Sequence, residues 1–279
     1  MSANQQEKTM TFWEHLDELR FRVRRALIGF VLMCVVAWYA REYVLTALVY
    51  PFRKAWVEQN LPGAPELHFA APSDAFMAYV KQSMIAGFVF AAPFIFWQLW
   101  AFIAPGLYAK EKKSSLLFVF FSTLLFAVGG MFGWYVAFPV AFGYFLSLSG
   151  DLGANGVAIV PTVMMTDYLD FVGRLLLAFG IIFEIPLVSL FLSSAGIINY
   201  RQMWKFGRWF VLIAFTLGAA LTPPDVTSQL VMAIPMCLLY LVSIGLAYLF
   251  GKKPLEDIEA AERKRKEKEA RKQRKKDEA

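Results

Sequence analysis

Two carboxylates, Glu18 and Glu111, stand beside apolar runs and could bind a cationic ligand. Glu111 lies with Lys110, Lys112 and Lys113 in a short polar turn, and Glu18 lies shortly before the first long apolar run. A carboxylate pairs best with a guanidinium group, through two parallel hydrogen bonds that lysine cannot match. Two such groups near a lipid surface therefore suit a ligand that carries adjacent arginines followed by an apolar segment.

Each of these carboxylates also has a simpler structural interpretation. Glu18 can form an ion pair with Arg22, one helical turn further along the chain. Glu111 can balance the charge of the lysines around it. Spacing alone favours these two alternatives over a ligand site.

Glu184 is the most unusual acidic residue because it lies inside an apolar run, FGIIFEIPLVSLF. A charge at that depth costs several kcal/mol (roughly 3 on insertion scales) unless the group is protonated, paired or hydrated. Pro186 removes a backbone donor and predicts a bend nearby. One interpretation is a polar point facing a cavity, able to exchange a proton. The alternative is a neutral side chain hydrogen-bonded to another helix.

Catalysis and cofactor binding are not expected. The chain has no HExxH, Gly-x-Ser-x-Gly or Walker motif, and no aspartate pair lies within the apolar runs. His15 and His68 lack metal-ligand spacing, and Cys34 and Cys237 fall inside apolar runs, as small core residues do. We therefore predict a protein that is not an enzyme and that holds no cofactor or metal.

The apolar runs predict an all-α membrane protein with six transmembrane helices. Of the 279 residues, 58% are hydrophobic, and runs of about 20 apolar residues recur. Residues 11–25 predict a short amphipathic helix at the interface, and residues 43–56 are also helix-like. The predicted spans are 26–44, 76–103, 116–146, 168–192, 209–221 and 230–250. Gly129 and Gly133 form a small-xxx-small pair that predicts close helix packing.

The basic residues predict the sidedness of the membrane segments and argue against nucleic acid binding. Twelve of the 28 basic residues follow Gly251, and most others lie in the N-terminal segment and in the second-to-third and fourth-to-fifth loops. By the positive-inside rule, both termini and the Glu111 turn are cytoplasmic. We divide the chain into a membrane domain, 1–250, and a charged, flexible tail, 251–279.

Four motifs resemble those of one protein family. They are HLDELRFRV (15–23), WAFIAPGLYAKEKK (100–113), FEIPL (183–187) and LTPPDVTSQ (221–229). Together and in this order, the motifs are similar to those of the TatC family, the multispanning receptor subunit of the twin-arginine protein translocase. The resemblance extends to about Phe250.

The resemblance implies roles for individual residues. Glu18 and Glu111 are implied to contact the two arginines of a signal peptide. The residues implied to shape that site are Leu16, Arg20, Phe102, Pro105, Leu107 and Tyr108. Glu184 matches the intramembrane glutamate of the family, on the concave side of a curved, glove-like arrangement of six helices. The residues implied for partner docking are Thr222 and Gln229, and those for assembly are Pro51 and Asp225.

The function implied is that of a receptor and scaffold in the bacterial cytoplasmic membrane. It binds twin-arginine signal peptides of folded precursors and organises the single-span subunits TatA and TatB for export driven by the proton-motive force. Membrane lipid is a further expected partner, and self-association is left open. Two alternatives are a secondary transporter that uses Glu184 for proton coupling and a purely structural scaffold. We find no internal repeat of the kind that transporters commonly show.

Overall fold

The computed structural model describes residues 12–107, 112–151, 158–223 and 225–252, with side chains except at 12, 104–107, 112–115, 151 and 158. Helices dominate these ranges, as the apolar runs predict. The α-helices are α1 (Phe12–Tyr39), α2 (Arg41–Glu58), α3 (Pro72–Leu107), α4 (Lys112–Phe132), α5 (Phe138–Ser147), α6 (Met165–Ile182), α7 (Ile185–Ala195), α8 (Tyr200–Leu221) and α9 (Val226–Phe250). A π-helix, Gly133–Ala137, joins α4 to α5.

Within the described residues, four two-residue strands lie in the loops. They are β1 (Leu67–His68), β2 (Gly150–Asp151), β3 (Ala158–Ile159) and β4 (Val163–Met164). β1 pairs with β4 in parallel, and β2 pairs with β3 in antiparallel register. These short pairs connect loops and leave the all-α class of the protein unchanged.

Five helical segments are long and apolar enough to cross a membrane. Within the described residues they are Pro72–Ile103, Leu116–Ser147, Met165–Ala195, Tyr200–Leu221 and Val226–Phe250, and α1 with α2 is a sixth candidate if that bent pair is one span. The chain is therefore a multi-pass membrane protein, and the predicted fold class is confirmed. The fifth segment is longer than the 13-residue run predicted for it, because α8 begins at Tyr200 and includes the basic residues before Trp209.

The first predicted span differs from the observed helix. The segment predicted to lie at the interface and the first apolar run form one continuous helix, α1, which ends at Tyr39. The backbone leaves the helical region at Ala40 (φ −94°, ψ 12°), and α2 follows at a bend of 83°. The buried Gln82 amide of α3 donates a hydrogen bond to the Arg41 carbonyl oxygen, which fixes the start of α2 against α3.

Pro51 creates a break in the hydrogen bonding of α2 that a tryptophan repairs. A proline inside a helix leaves the carbonyl four residues earlier without its usual donor. Here that carbonyl belongs to Ala47, and it accepts a hydrogen bond from Trp134 Nε1 at 3.0 Å. Trp134 lies in the π-helix and stacks on Tyr50 with a centroid distance of 5.3 Å. Pro51 itself is fully buried, so its described role is in packing.

The chain divides into two compact units. One comprises Met1–Glu184 and Gly218–Met232, and the other comprises Ile185–Leu217 and Ala233–Ala279. In the first, Phe52 of α2 packs against Phe142 and Tyr168, which are themselves stacked at 5.4 Å. In the second, Tyr240 stacks on Phe210 at 4.0 Å, and its hydroxyl donates to the Met203 carbonyl oxygen at 2.8 Å. Each unit therefore has aromatic residues at its centre.

Candidate functional site

The N-terminal half of α1 lies against the C-terminal part of α3. The His15 ring stacks on Phe102 with a centroid distance of 4.4 Å and an interplanar angle of 15°. α3 ends at Leu107, shortly before Glu111 in the sequence. The stacking contact therefore brings the segment that carries Glu18 to the helix end that leads into the Glu111 turn.

Glu18 has two carboxylate oxygens in different surroundings. Oε1 accepts hydrogen bonds from Arg22 Nη2 at 2.6 Å and from Arg22 Nε at 2.9 Å. Oε2 is shielded from solvent and has no hydrogen-bond partner in the described part of the chain. The ion pair that spacing favoured is thus present, yet it uses one of the two oxygens. A buried oxygen without a donor costs about 1–3 kcal/mol, which a ligand donor would recover.

The two sides of the N-terminal part of α1 have opposite environments. At 100° per residue, His15, Glu18 and Arg22 share one side of the helix, and the Glu18 side chain is 17% exposed. The apolar side is turned outward instead, with Leu16 39% and Val23 56% exposed. An outward apolar side suits contact with lipid.

The structure describes only some of the residues predicted for the signal-peptide site. Tyr108 and Glu111 lie outside the described residues, as do the side chains of Pro105 and Leu107. Phe102 is brought to the α1 site by its stack with His15. Arg20 is exposed, as Leu16 is, on a different side of α1 from Glu18. The pairing of Glu18 with Glu111 therefore stays a prediction.

Glu184 lies at a break between two helices of one predicted span. α6 ends at Ile182, and α7 begins at Ile185, which is followed by Pro186. This break lies where Pro186 predicted a bend. The Glu184 side chain is buried beside the hydroxyl of Ser122 on α4, which can donate a hydrogen bond to its carboxyl group. Ser122 also accepts from Trp100 Nε1 of α3 at 2.7 Å. This proximity to another helix is compatible with the structural alternative for Glu184, which stays a prediction.

One oxygen of Glu184 remains available. Oε1 is buried and has no hydrogen-bond partner among the described residues. Glu184 and Glu18 thus share a feature: within the described residues, each carboxyl group has one buried oxygen without a hydrogen-bond donor. The proton exchange predicted for the Glu184 side chain stays a prediction.

Comparison with known proteins identifies the family. The family model "Sec-independent protein translocase protein (TatC)" matches residues 14–235. The chain belongs to the TatC family. The Sec-independent protein translocase protein TatC of Desulforapulum autotrophicum is 38% identical to it over 92% of each chain. The Aquifex aeolicus TatC is 36% identical over 88% of this chain and 98% of that protein.

A solved structure of the same family agrees with the fold. The crystal structure of the twin-arginine translocase receptor TatC superposes with a TM-score of 0.73 at 37% identity, covering 85% of this chain and 99% of that chain. The family name describes a protein translocase component, which is a transport role rather than a catalytic one. The resemblance drawn from four motifs is thus confirmed over most of the chain.

The LTPPDVTSQ motif of this TatC-family chain forms the turn between α8 and α9. The Thr222 hydroxyl donates to the Gly218 carbonyl oxygen at 2.8 Å. Asp225 caps α9, because its Oδ1 accepts from the Ser228 backbone N–H at 2.7 Å. A Cβ on Gly218 would lie 3.3 Å from Gln229 Cγ, so the two helices approach closely beside Gln229. Thr222 and Asp225 therefore lie between the two helices and Gln229 lies in the first turn of α9, and Asp225 has a structural role as a cap.

Sequence reasoning missed several residues that shape these sites. His15 was interpreted as isolated because its partner, Phe102, is far away in the chain. Ser122 carries no sequence signal, since serines are common in such helices. Lys81 forms an ion pair with Asp170 at 2.8 Å between α3 and α6. Opposite charges in two separate apolar runs are the one signal that could have revealed that pair.

Proposed function

We propose that the chain is the receptor subunit of a twin-arginine translocase and binds the signal peptides of folded precursors. The observation that supports this most directly is the buried Oε2 of Glu18, which lacks a donor in the described residues. A related protein of known structure is named a twin-arginine translocase receptor. An arginine guanidinium supplies the donors that this oxygen lacks.

In this proposal Glu18 and Glu111 each bind one arginine of the peptide. The stack of His15 on Phe102 supports it, because it holds the Glu18 segment beside the end of α3. The other residues proposed to shape the site are Leu16, Arg20, Pro105, Leu107 and Tyr108. The exposed apolar side of α1 would lie next to the apolar part of the signal peptide and to lipid.

The remaining parts of the proposal concern topology and partners. The chain lies in the cytoplasmic membrane of a bacterium with both termini cytoplasmic, and the charged tail, 251–279, lies outside the described residues from 253 onward. TatA and TatB dock near Thr222 and Gln229, and Pro51 and Asp225 support assembly. The chain acts as a receptor and scaffold and not as an enzyme, and export draws on the proton-motive force.

Peptide binding by the purified full chain tests this function. A labelled twin-arginine signal peptide is titrated against wild type, Glu18→Gln and Glu18→Ala. Glu18→Ala should weaken binding about tenfold or more, because a hydrogen bond to a charged group contributes about 1.5–3 kcal/mol. Glu18→Gln should weaken binding less, because its amide oxygen still accepts one hydrogen bond.

The matched control is Asp17→Ala, which removes an exposed carboxylate from the neighbouring position of the same helix. Asp17→Ala should keep wild-type affinity. A peptide with two lysines in place of the arginines should bind weakly to every variant. Equal losses for Glu18→Ala and Asp17→Ala would refute the site, and equal binding of the two peptides to wild type would refute the receptor function.

A further inference from the structure

An apolar groove with a basic opening lies between the first turns of α8 and the last turns of α9. Its volume is about 590 Å³. It is lined by Leu241, Ile244, Gly245 and Tyr248 of α9 and by Trp204 of α8. Both aromatic side chains are about two-thirds exposed, with Trp204 at 68% and Tyr248 at 65%. The groove therefore presents a large apolar surface that the described chain does not cover.

The two helices that form the groove are packed together next to it. Ile244 belongs to a buried cluster with Met203, Tyr240 and Ala247. At the helix ends, Tyr200 contacts Tyr248 edge to face at 5.1 Å. A Cβ built on Gly245 meets no atom within 4 Å, so the space beside Gly245 is open. The groove is thus a gap in an otherwise packed helix pair.

The charge around the groove is positive. Within residues 185–217 and 233–252, the described part of the second unit, the basic residues are Arg201, Lys205, Arg208 and Lys252, and there is no aspartate or glutamate. Arg201 and Lys205 line the groove itself, and Lys205 is exposed. An anionic group that enters here meets cations and no competing carboxylate from this part of the chain.

The position along the helices matches the depth of lipid phosphates. α8 and α9 are both long enough to cross a membrane, and Lys205 lies in the second turn of α8 while Tyr248 lies in the last turn of α9. Tryptophan and tyrosine concentrate at the membrane–water interface, where headgroups lie. Basic pockets between transmembrane helices are known to bind anionic headgroups.

We propose that this groove binds one anionic phospholipid. The phosphate lies beside Lys205 and Arg201, and an acyl chain lies along Leu241 and Gly245 between the two aromatic side chains. A zwitterionic lipid should bind less well, because the positive charge of its headgroup would lie near Lys205. This lipid site is separate from peptide recognition and does not depend on it.

Native mass spectrometry of the detergent-purified full chain tests the site. Phosphatidylglycerol and phosphatidylcholine with identical acyl chains are added in equal amounts, and the bound fraction of each is measured. Wild type should retain phosphatidylglycerol in preference. Lys205→Gln should lower its association constant about fivefold, which corresponds to about 1 kcal/mol per basic residue near a membrane surface.

Two further variants separate charge from shape. Lys54→Gln removes an exposed lysine charge from α2, far from the groove in the sequence. It should leave the preference for phosphatidylglycerol unchanged. Gly245→Leu fills the open space without altering charge and should reduce binding of both lipids, with unfolding temperature confirming an intact fold. Equal retention of the two lipids by wild type, or equal losses in Lys205→Gln and Lys54→Gln, would overturn the proposal. Unchanged binding in Gly245→Leu would do so as well.

Discussion

At the scale of single residues, two carboxyl groups are the main candidates for binding chemistry, that of half-buried Glu18 and that of buried Glu184. Glu18 is oriented by Arg22, and Glu184 lies beside Ser122. Among the described residues, Oε2 of Glu18 and Oε1 of Glu184 have no donor. Both therefore combine a fixed position with a capacity to accept another hydrogen bond. Glu18 is placed at a helix end, whereas Glu184 lies within a span, so we assign them to different steps.

The stack between His15 and Phe102 should matter for peptide affinity because it holds the Glu18 segment in place. An aromatic pair contributes about 0.5–1.5 kcal/mol beyond its buried area. His15→Ala should weaken twin-arginine peptide binding about fivefold, and His15→Phe should restore it, since a phenyl ring can stack in the same way. Titration of labelled peptide against each variant measures this. Equal affinities for His15→Ala and His15→Phe would show that stacking is not the reason.

Glu184→Ala should separate recognition from export. The side chain is buried beside Ser122 rather than at the Glu18 site, so peptide affinity should equal that of wild type. Export of a folded reporter with a twin-arginine signal should fall strongly, because the buried polar group within the span is lost. Both quantities are measured on the same variant, with its amount in the membrane as the control. A loss of peptide binding would count against this division of roles.

At the scale of helices, the sequence predicts what is local and misses what depends on distant partners. The apolar runs located α3 to α9, the pair Glu18–Arg22 follows from helical spacing, and Pro186 signalled the break at Glu184. The bend at Ala40 could not be predicted, because no proline or glycine lies next to it in the sequence. It is stabilised instead by Gln82 of α3, a contact that no sequence spacing could indicate.

The predicted close packing at Gly129 gives a sharp test of how α4 meets α6. A Cβ at Gly129 would lie 2.4 Å from the Phe179 carbonyl oxygen, whereas one at Gly130 would lie 3.8 Å from Leu176 Cδ1. Gly129→Ala should therefore destabilise the protein by about 1–3 kcal/mol, as overpacked cores do. Gly130→Ala should be neutral or stabilising by about 0.5–1 kcal/mol, since alanine favours helix. Thermal unfolding in detergent compares the two, and equal shifts would contradict the described packing.

At the scale of the whole molecule, the multi-pass membrane fold was predictable because it depends on the apolar runs, which can be read directly from the sequence. Runs of apolar residues must form helices in lipid, where each backbone group needs an internal partner. Those runs predict six spans, and the described residues contain five helices long and apolar enough to cross, with the bent α1–α2 pair as a sixth candidate. The proposed recognition site was less predictable, since it would join Glu18 to Glu111, which is far away in the chain and lies outside the described residues.

The central claim is that Glu18 and the Glu111 turn form one site for adjacent arginines. Its most direct test places a photoreactive amino acid at position 17 or at position 110, next to each carboxylate, in the full chain in inverted membrane vesicles. A twin-arginine precursor should crosslink at both positions through residues next to its arginine pair, and free twin-arginine peptide should abolish both crosslinks. Crosslinks that persist with a twin-lysine precursor, or that form at only one of the two positions, would contradict the claim.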